Sequence, residues 1–185
     1  MPALKPSQQR LSGPDVWAGP QMLARTDWIH SLTAAEIAEV VDAVCAIERA
    51  DRVWLTVTRE DFPLPRLRER LAGIGNELEH GCGMAVVRGL PDESLGVDGL
   101  RIALWGIGLH LGTAVSQSHY GELLAEVRDY GEIVGEPTSR GYRTGSALRF
   151  HTDRCDVVAL LCVRQCREGG DSLTVSTPHL HNVLA

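Results

Sequence analysis

Apolar residues recur along this chain with the period of a helix in three places. Ile37, Val40, Val41, Val44 and Ile47 form one stripe, and their spacing predicts a helix over 34–49. Thr33-Ala34-Ala35-Glu36 opens it as a capping box: the Thr hydroxyl accepts from the N3 amide while the Glu carboxylate reaches back. Leu64, Leu67, Leu71, Ile74 and Leu78 mark a second helix over 64–80, stopped by His80-Gly81-Cys82-Gly83. Leu100, Ala103, Leu104, Ile107 and Leu111 mark a third over 97–111, ended by Gly112. Other stretches lose this period. Met84 to Val87 reads as a short strand before the turn Gly89-Leu90-Pro91, 122–129 as another strand, and Ala147 to Phe150 as extended. The run Val157 to Val163 has no polar interruption, so a strand covered on both faces is expected. Arg167 to Gly170 predicts a turn and Ser172 to Ser176 a returning strand. Thr177-Pro178 then starts a helix, as N-cap followed by Pro at N1.

Between these elements lie two irregular stretches. Residues 1–20 carry Pro2, Pro6, Pro14 and Pro20 with Gly13 and Gly19, which predicts an irregular arm. Residues 131–145 are rich in glycine and mixed charge and form a long loop, a length often tied to function. The last helix runs to Ala185 without a C-cap, and the apolar run 157–163 calls for partners on both faces. Residues 21–185 are therefore expected to be the N-terminal part of a larger domain.

Composition narrows the class of protein. With 185 residues, 44% hydrophobic and 23% charged, the chain has ordinary globular content. No stretch is long and apolar enough to span a bilayer, and no apolar signal segment opens the sequence. The net charge of −6 and pI near 5.6 argue against a general nucleic-acid binder. Cys45, Cys82, Cys155, Cys162 and Cys166 are odd in number and lack a CxxC pair. They are expected to be buried free thiols in a reducing compartment, the cytoplasm.

The strongest candidate for chemistry is Phe150-His151-Thr152-Asp153. In extended backbone, residues i and i+2 point to the same side. An imidazole nitrogen and a carboxylate oxygen then face one metal ion, and a further His would complete a two-His, one-carboxylate triad. The alternative is a surface His beside a capping Asp. Downstream stands Glu168-Gly169-Gly170-Asp171-Ser172, where a hairpin could bring Ser172 back toward the His.

The stretch FHTDRCDVVALLCVRQCREGGDSLTVST, residues 150–177, resembles the TauD/TfdA (taurine dioxygenase-like) family of Fe(II)- and 2-oxoglutarate-dependent oxygenases. Weaker likeness lies in GMAVVRGLP, 83–91, and from Gly112 through Gln117 and Gly121 to Val127. The resemblance implies that His151 and Asp153 ligate Fe(II), and that Ser172 donates its hydroxyl to the distal carboxylate of 2-oxoglutarate. It implies an α+β fold, an incomplete double-stranded β-helix (jelly roll) flanked by N-terminal helices. It also implies oxidation of a C–H bond in a small molecule by dioxygen, with succinate and CO2 released. No membrane or nucleic-acid partner is implied.

Several positions depart from that family. Its second His ligand and its 2-oxoglutarate-binding Arg lie far beyond the HxD motif, and neither can be assigned here. The chain alone is therefore expected to be inactive. His179 and His181 follow Asp153 too closely to reach an opposite barrel strand and read as helix-surface residues. His30, His80 and His110 read as structural. The substrate-binding Asn of taurine-cleaving members is replaced by Ala147, which leaves taurine unsupported. Gln117, His119 and Tyr120 are candidates to line a pocket against ordinary loop packing. Arg143 and Arg149 are candidates to meet an acidic substrate, against a solvated or salt-bridged role. Two other readings stay open: a non-catalytic fragment, and a cupin-like binding domain.

Overall fold

The helix at 34–49 forms where the stripe and its cap place it. In the computed structural model, which describes residues 9–116, 121–133 and 141–185, α1 spans Gly19–Leu23, β1 Ile29–Ser31 and α2 Ala34–Arg49. The Glu36 amide donates to Thr33 Oγ1 at 3.3 Å, and Glu36 Oε2 accepts from the Thr33 amide at 2.7 Å. Two of the amides orphaned at the helix start are thereby satisfied. Val40, Val44 and Ile47 turn inward and are buried.

Helix α3 spans Arg68–His80, starting four residues later than the leucine pattern suggests. Pro63 and Pro65 hold the residues before them out of the helical region, so Leu64 and Leu67 enter the core from the lead-in. No side chain of its own caps α3. Glu39 of α2 does so, its carboxylate accepting from the Arg66 and Leu67 amides at 2.9 and 3.0 Å.

Strand β2, Val86–Arg88, pairs in parallel with β1, matching Ile29 with Val86 and Ser31 with Arg88. Helix α4, Asp92–Leu111, is interrupted at Gly96, whose φ of +60° and ψ of −176° lie outside helical space. Beyond the break, Leu100, Ala103 and Ile107 face α2 and α3. Phe62 is fully buried and lies so close to α4 that a Cβ on Gly106 would stand 2.4 Å from its ring. A 3-10 turn at Trp54–Thr56 sets Trp54 edge-on to Trp105, centroids 5.7 Å apart. The buried Trp105 Nε1–H donates to the Val57 carbonyl. Helix α5 spans Thr177–Leu184. No described helix is long and apolar enough to cross a membrane.

Of the described residues, those from 9 to 111 together with 161–185 form one unit, and those within 112–160 a second. Helices and a small sheet are both present, but β1 and β2 are the only strands among the described residues. Three expected strands do not form. At 122–130 two hydrogen bonds, Arg128 N–H to Tyr142 O and Tyr130 N–H to Arg143 O, replace a ladder. Val157, Val158, Leu160 and Val163 are exposed where a strand covered on both faces was expected. Residues 172–176 are irregular. The common reason is that an extended segment becomes a strand only against a partner's ladder, and no described segment supplies one. The turn between the last two runs is nevertheless present. Gly169 and Gly170 take φ of +75° and +77°, a conformation that favours glycine.

Of the cysteines, Cys82 alone is buried; Cys45 and Cys155 are partly exposed, and Cys162 and Cys166 exposed. The exposure of Cys162 follows from the missing strand cover over 157–163. All five are free. Burial pushes the Cys82 thiol above its ordinary value, which keeps it protonated and inert.

Candidate metal-binding site

His151 and Asp153 lie in the 112–160 unit, just after a bend at Phe150. Their side chains point the same way. His151 Nε2 stands 3.9 Å from Asp153 Oδ1, with the two side chains 55% and 53% exposed. The other ring nitrogen, Nδ1, lies 2.7 Å from the Arg149 carbonyl oxygen. A carbonyl can only accept, so Nδ1 carries the proton. In the neutral ring the Nε2 lone pair is then left facing a carboxylate oxygen. The two acceptor atoms thus face each other from side chains that are both open to solvent.

The donor types of this pair, an imidazole nitrogen and a carboxylate oxygen, suit a divalent metal ion. Donors held about 2.1 Å from one divalent metal stand roughly 3.0 Å apart at a right angle and about 4.2 Å apart in line. The 3.9 Å found is wider by about 0.9 Å than two adjacent ligands of one metal, so the two side chains would have to close on the ion by that much. The backbone bond to Nδ1 is the outer-sphere contact that orients metal-binding histidines and fixes their tautomer. Exposure lets both side chains adjust without displacing packed neighbours. Among the described residues, no group of three His, Cys, Asp or Glu side chains is gathered to hold a metal.

Ser172 belongs to the other unit, two residues beyond the Gly169-Gly170 turn, and is exposed. The two remaining histidine candidates are placed by contacts of their own. His179 sits in the first turn of α5, its amide donating to Ser176 Oγ, and His181 Nε2 lies 3.1 Å from the Gln9 carbonyl. The N-cap of α5 is Ser176, one residue earlier than expected, with Pro178 in the first turn. Gln117, His119 and Tyr120 lie outside the described residues.

Arg143 is committed to its neighbours. Its Nε–H donates to Glu132, and its guanidinium lies over the Tyr130 ring, 4.2 Å from the centroid. The Glu132 carboxylate holds the Arg143 pKa above its ordinary value. Arg149 is exposed and has no ion-pair partner among the described residues. His30 and His110 are partly buried; His110 Nε2–H donates to the Phe62 carbonyl at 2.8 Å.

Comparison with known proteins decides the family. Residues 50–185 match the model of the taurine catabolism dioxygenase TauD, TfdA family. The chain belongs to that family. It is 36% identical over 178 residues to FR-33289 synthase of Streptomyces rubellomurinus (strain ATCC 31215), covering 94% of this chain and 52% of the relative. It is 28% identical over 183 residues to taurine hydroxylase-like protein SAT17 of Stachybotrys chartarum (strain CBS 109288 / IBT 7711), covering 95% of this chain and 47% of the relative. The chain thus spans about half the length of these curated relatives. Family and relatives together support an oxygenase-type oxidoreductase activity in general.

Sequence reasoning missed the contacts that hold α5. Asn182 bonds the backbone of Leu11 in both directions, at 2.7 and 2.8 Å, and Ser176 Oγ–H donates to the Asp15 carbonyl at 2.5 Å. No local pattern announces bonds that span more than 160 residues.

Proposed function

We propose that the chain carries the iron-binding segment of an Fe(II)- and 2-oxoglutarate-dependent dioxygenase that oxidises a C–H bond of a small molecule. Succinate and CO2 are the co-products. Family membership supports the reaction class. The observation that carries the site is the His151–Asp153 pair, with its tautomer set by the Arg149 carbonyl and its two acceptor atoms facing each other. Residues 21–185 would supply the N-terminal part of a double-stranded β-helix, a reading supported by family membership alone.

In this reading His151 Nε2 and Asp153 Oδ1 hold the metal, and Ser172 donates its hydroxyl to the distal carboxylate of 2-oxoglutarate. Bound iron would supply dioxygen activation coupled to loss of CO2 from the cosubstrate. The protein's own part is to present the Nε2 lone pair and the carboxylate oxygens, and to hold Nδ1–H on a carbonyl so that the ring keeps its orientation. Ala147 stands where taurine-cleaving members carry an Asn, which leaves taurine unsupported as the substrate. Neither relative's named activity is carried over.

Mn(II) serves as the probe, followed by loss of its free-ion electron paramagnetic resonance signal. Wild type is expected to bind it, and His151→Ala to weaken binding by at least about tenfold. Equal affinity in the two proteins would overturn the site. Succinate release from the 185-residue chain with Fe(II) and 2-oxoglutarate is expected to be slow, since two ligands hold the metal where three are needed. Sustained release, abolished by His151→Ala, would show that the third ligand is supplied within these residues or by a second copy.

A further inference from the structure

We infer that the N-terminal arm is a strap that positions Ser172, with Asn182 and Ser176 as the positioning residues. The inference rests on the proposed role of Ser172. It starts from a mismatch between α5 and its surroundings. The helix has eight residues and none of them is buried; Leu180, Val183 and Leu184 are exposed. What attaches it is polar. Asn182 Nδ2–H donates to the Leu11 carbonyl while its Oδ1 accepts from the Leu11 amide. His181 Nε2–H reaches the Gln9 carbonyl.

The segment ahead of the helix is held the same way. Ser176, only 4% exposed, accepts from the His179 amide and donates to the Asp15 carbonyl. Thr174 Oγ1 lies 3.2 Å from Met84 Sδ. The arm has its own anchor two residues beyond Asp15. Trp17 is buried with Met22 and Cys82, and its Nε1–H donates to the Cys82 carbonyl at 3.0 Å. Arm, helix and the 174–176 segment thus form a closed chain of contacts within one unit. Ser172 lies two residues from the first of those anchors. Release of the arm frees α5 and lets Ser172 wander; an attached arm confines it.

Asn182→Ala tests this with opposite signs. Alanine is the better helix former, so a helix held by its own propensity would exchange its amides more slowly in the variant. Loss of the strap predicts the reverse: amides of 174–184 exchange about tenfold or more faster, for two lost hydrogen bonds, while those of α2 and α4 do not change. Asn182→Asp keeps the acceptor and loses the donor, and falls between. Unchanged or slower exchange in Asn182→Ala overturns the strap. The positioning role is read from 2-oxoglutarate affinity in the presence of Mn(II). Asn182→Ala is expected to weaken it about as much as Ser172→Ala, with Mn(II) affinity unchanged. Faster exchange with unaltered 2-oxoglutarate affinity overturns the positioning role. If Ser172→Ala itself leaves that affinity unaltered, the proposed role of Ser172 fails instead.

Discussion

Glu36 concentrates more interactions than any other carboxylate of the helical core, and its removal has a calculable cost. It is 7% exposed. Its Oε1 accepts from Arg70 Nε at 2.7 Å, and its Oε2 from the Thr33 amide and hydroxyl at 2.7 and 2.8 Å. The Arg70 guanidinium first, then the Thr33 amide, hold its carboxyl down to about 2 from an ordinary 4.5. A depressed carboxyl adds stability above its unfolded pKa and loses it as pH falls through the folded one. At 1.36 kcal/mol per pH unit the contribution is about 3 kcal/mol at pH 7 and roughly 1 kcal/mol at pH 3. Glu36→Gln keeps an acceptor for Thr33 and loses the charge. It is expected to be about 2–3 kcal/mol less stable at pH 7, with the gap shrinking to about 1 kcal/mol at pH 3. Urea unfolding of both proteins at both pH values measures this, and other titrating groups cancel in the difference. A gap of equal size at pH 7 and pH 3 would refute the linkage.

Gly106→Ala should cost about 1–3 kcal/mol by overpacking against Phe62, read as a lower urea midpoint; an unchanged midpoint would mean that Phe62 gives way freely. Gly96→Ala meets no atom within 4 Å and should still cost about 1–3 kcal/mol, because its backbone conformation is almost confined to glycine; thermal unfolding checks it. Gly73→Ala in α3, also with open space around the added carbon, should stabilise by about 0.5–1 kcal/mol, seen as a raised melting temperature. Asp153→Asn preserves shape and removes charge, so Mn(II) affinity should fall with little change in stability.

What the sequence discloses depends on how local the deciding interactions are. The Thr33–Glu36 box and the 3.6-residue stripe of α2 lie within one segment, and the helix forms at its expected bounds. The start of α3 is set by two prolines and by Glu39, 27 residues away from Arg66, and only the prolines are visible in the sequence. β1 has three residues and no distinctive pattern, so its pairing with β2 emerges only from the fold. His151 and Asp153 are legible because i, i+2 geometry brings their side chains together. The tautomer that makes them useful depends on a carbonyl, which no residue type encodes. The strap is the least legible feature, since its residues are ordinary polar side chains at opposite ends of the chain.

The exposed run at 157–163 carries a colloidal consequence. VVALLCV is uncharged, β-branched in part and free of proline, the composition of segments that nucleate cross-β assembly. Its flanks are charged, with Asp153, Arg154 and Asp156 before it and Arg164, Arg167 and Glu168 after. Such gatekeepers raise the electrostatic cost of stacking like segments from neighbouring molecules. Screening by salt weakens that barrier, so self-association of the 185-residue chain should rise with ionic strength, opposite to the trend for an assembly held by ion pairs.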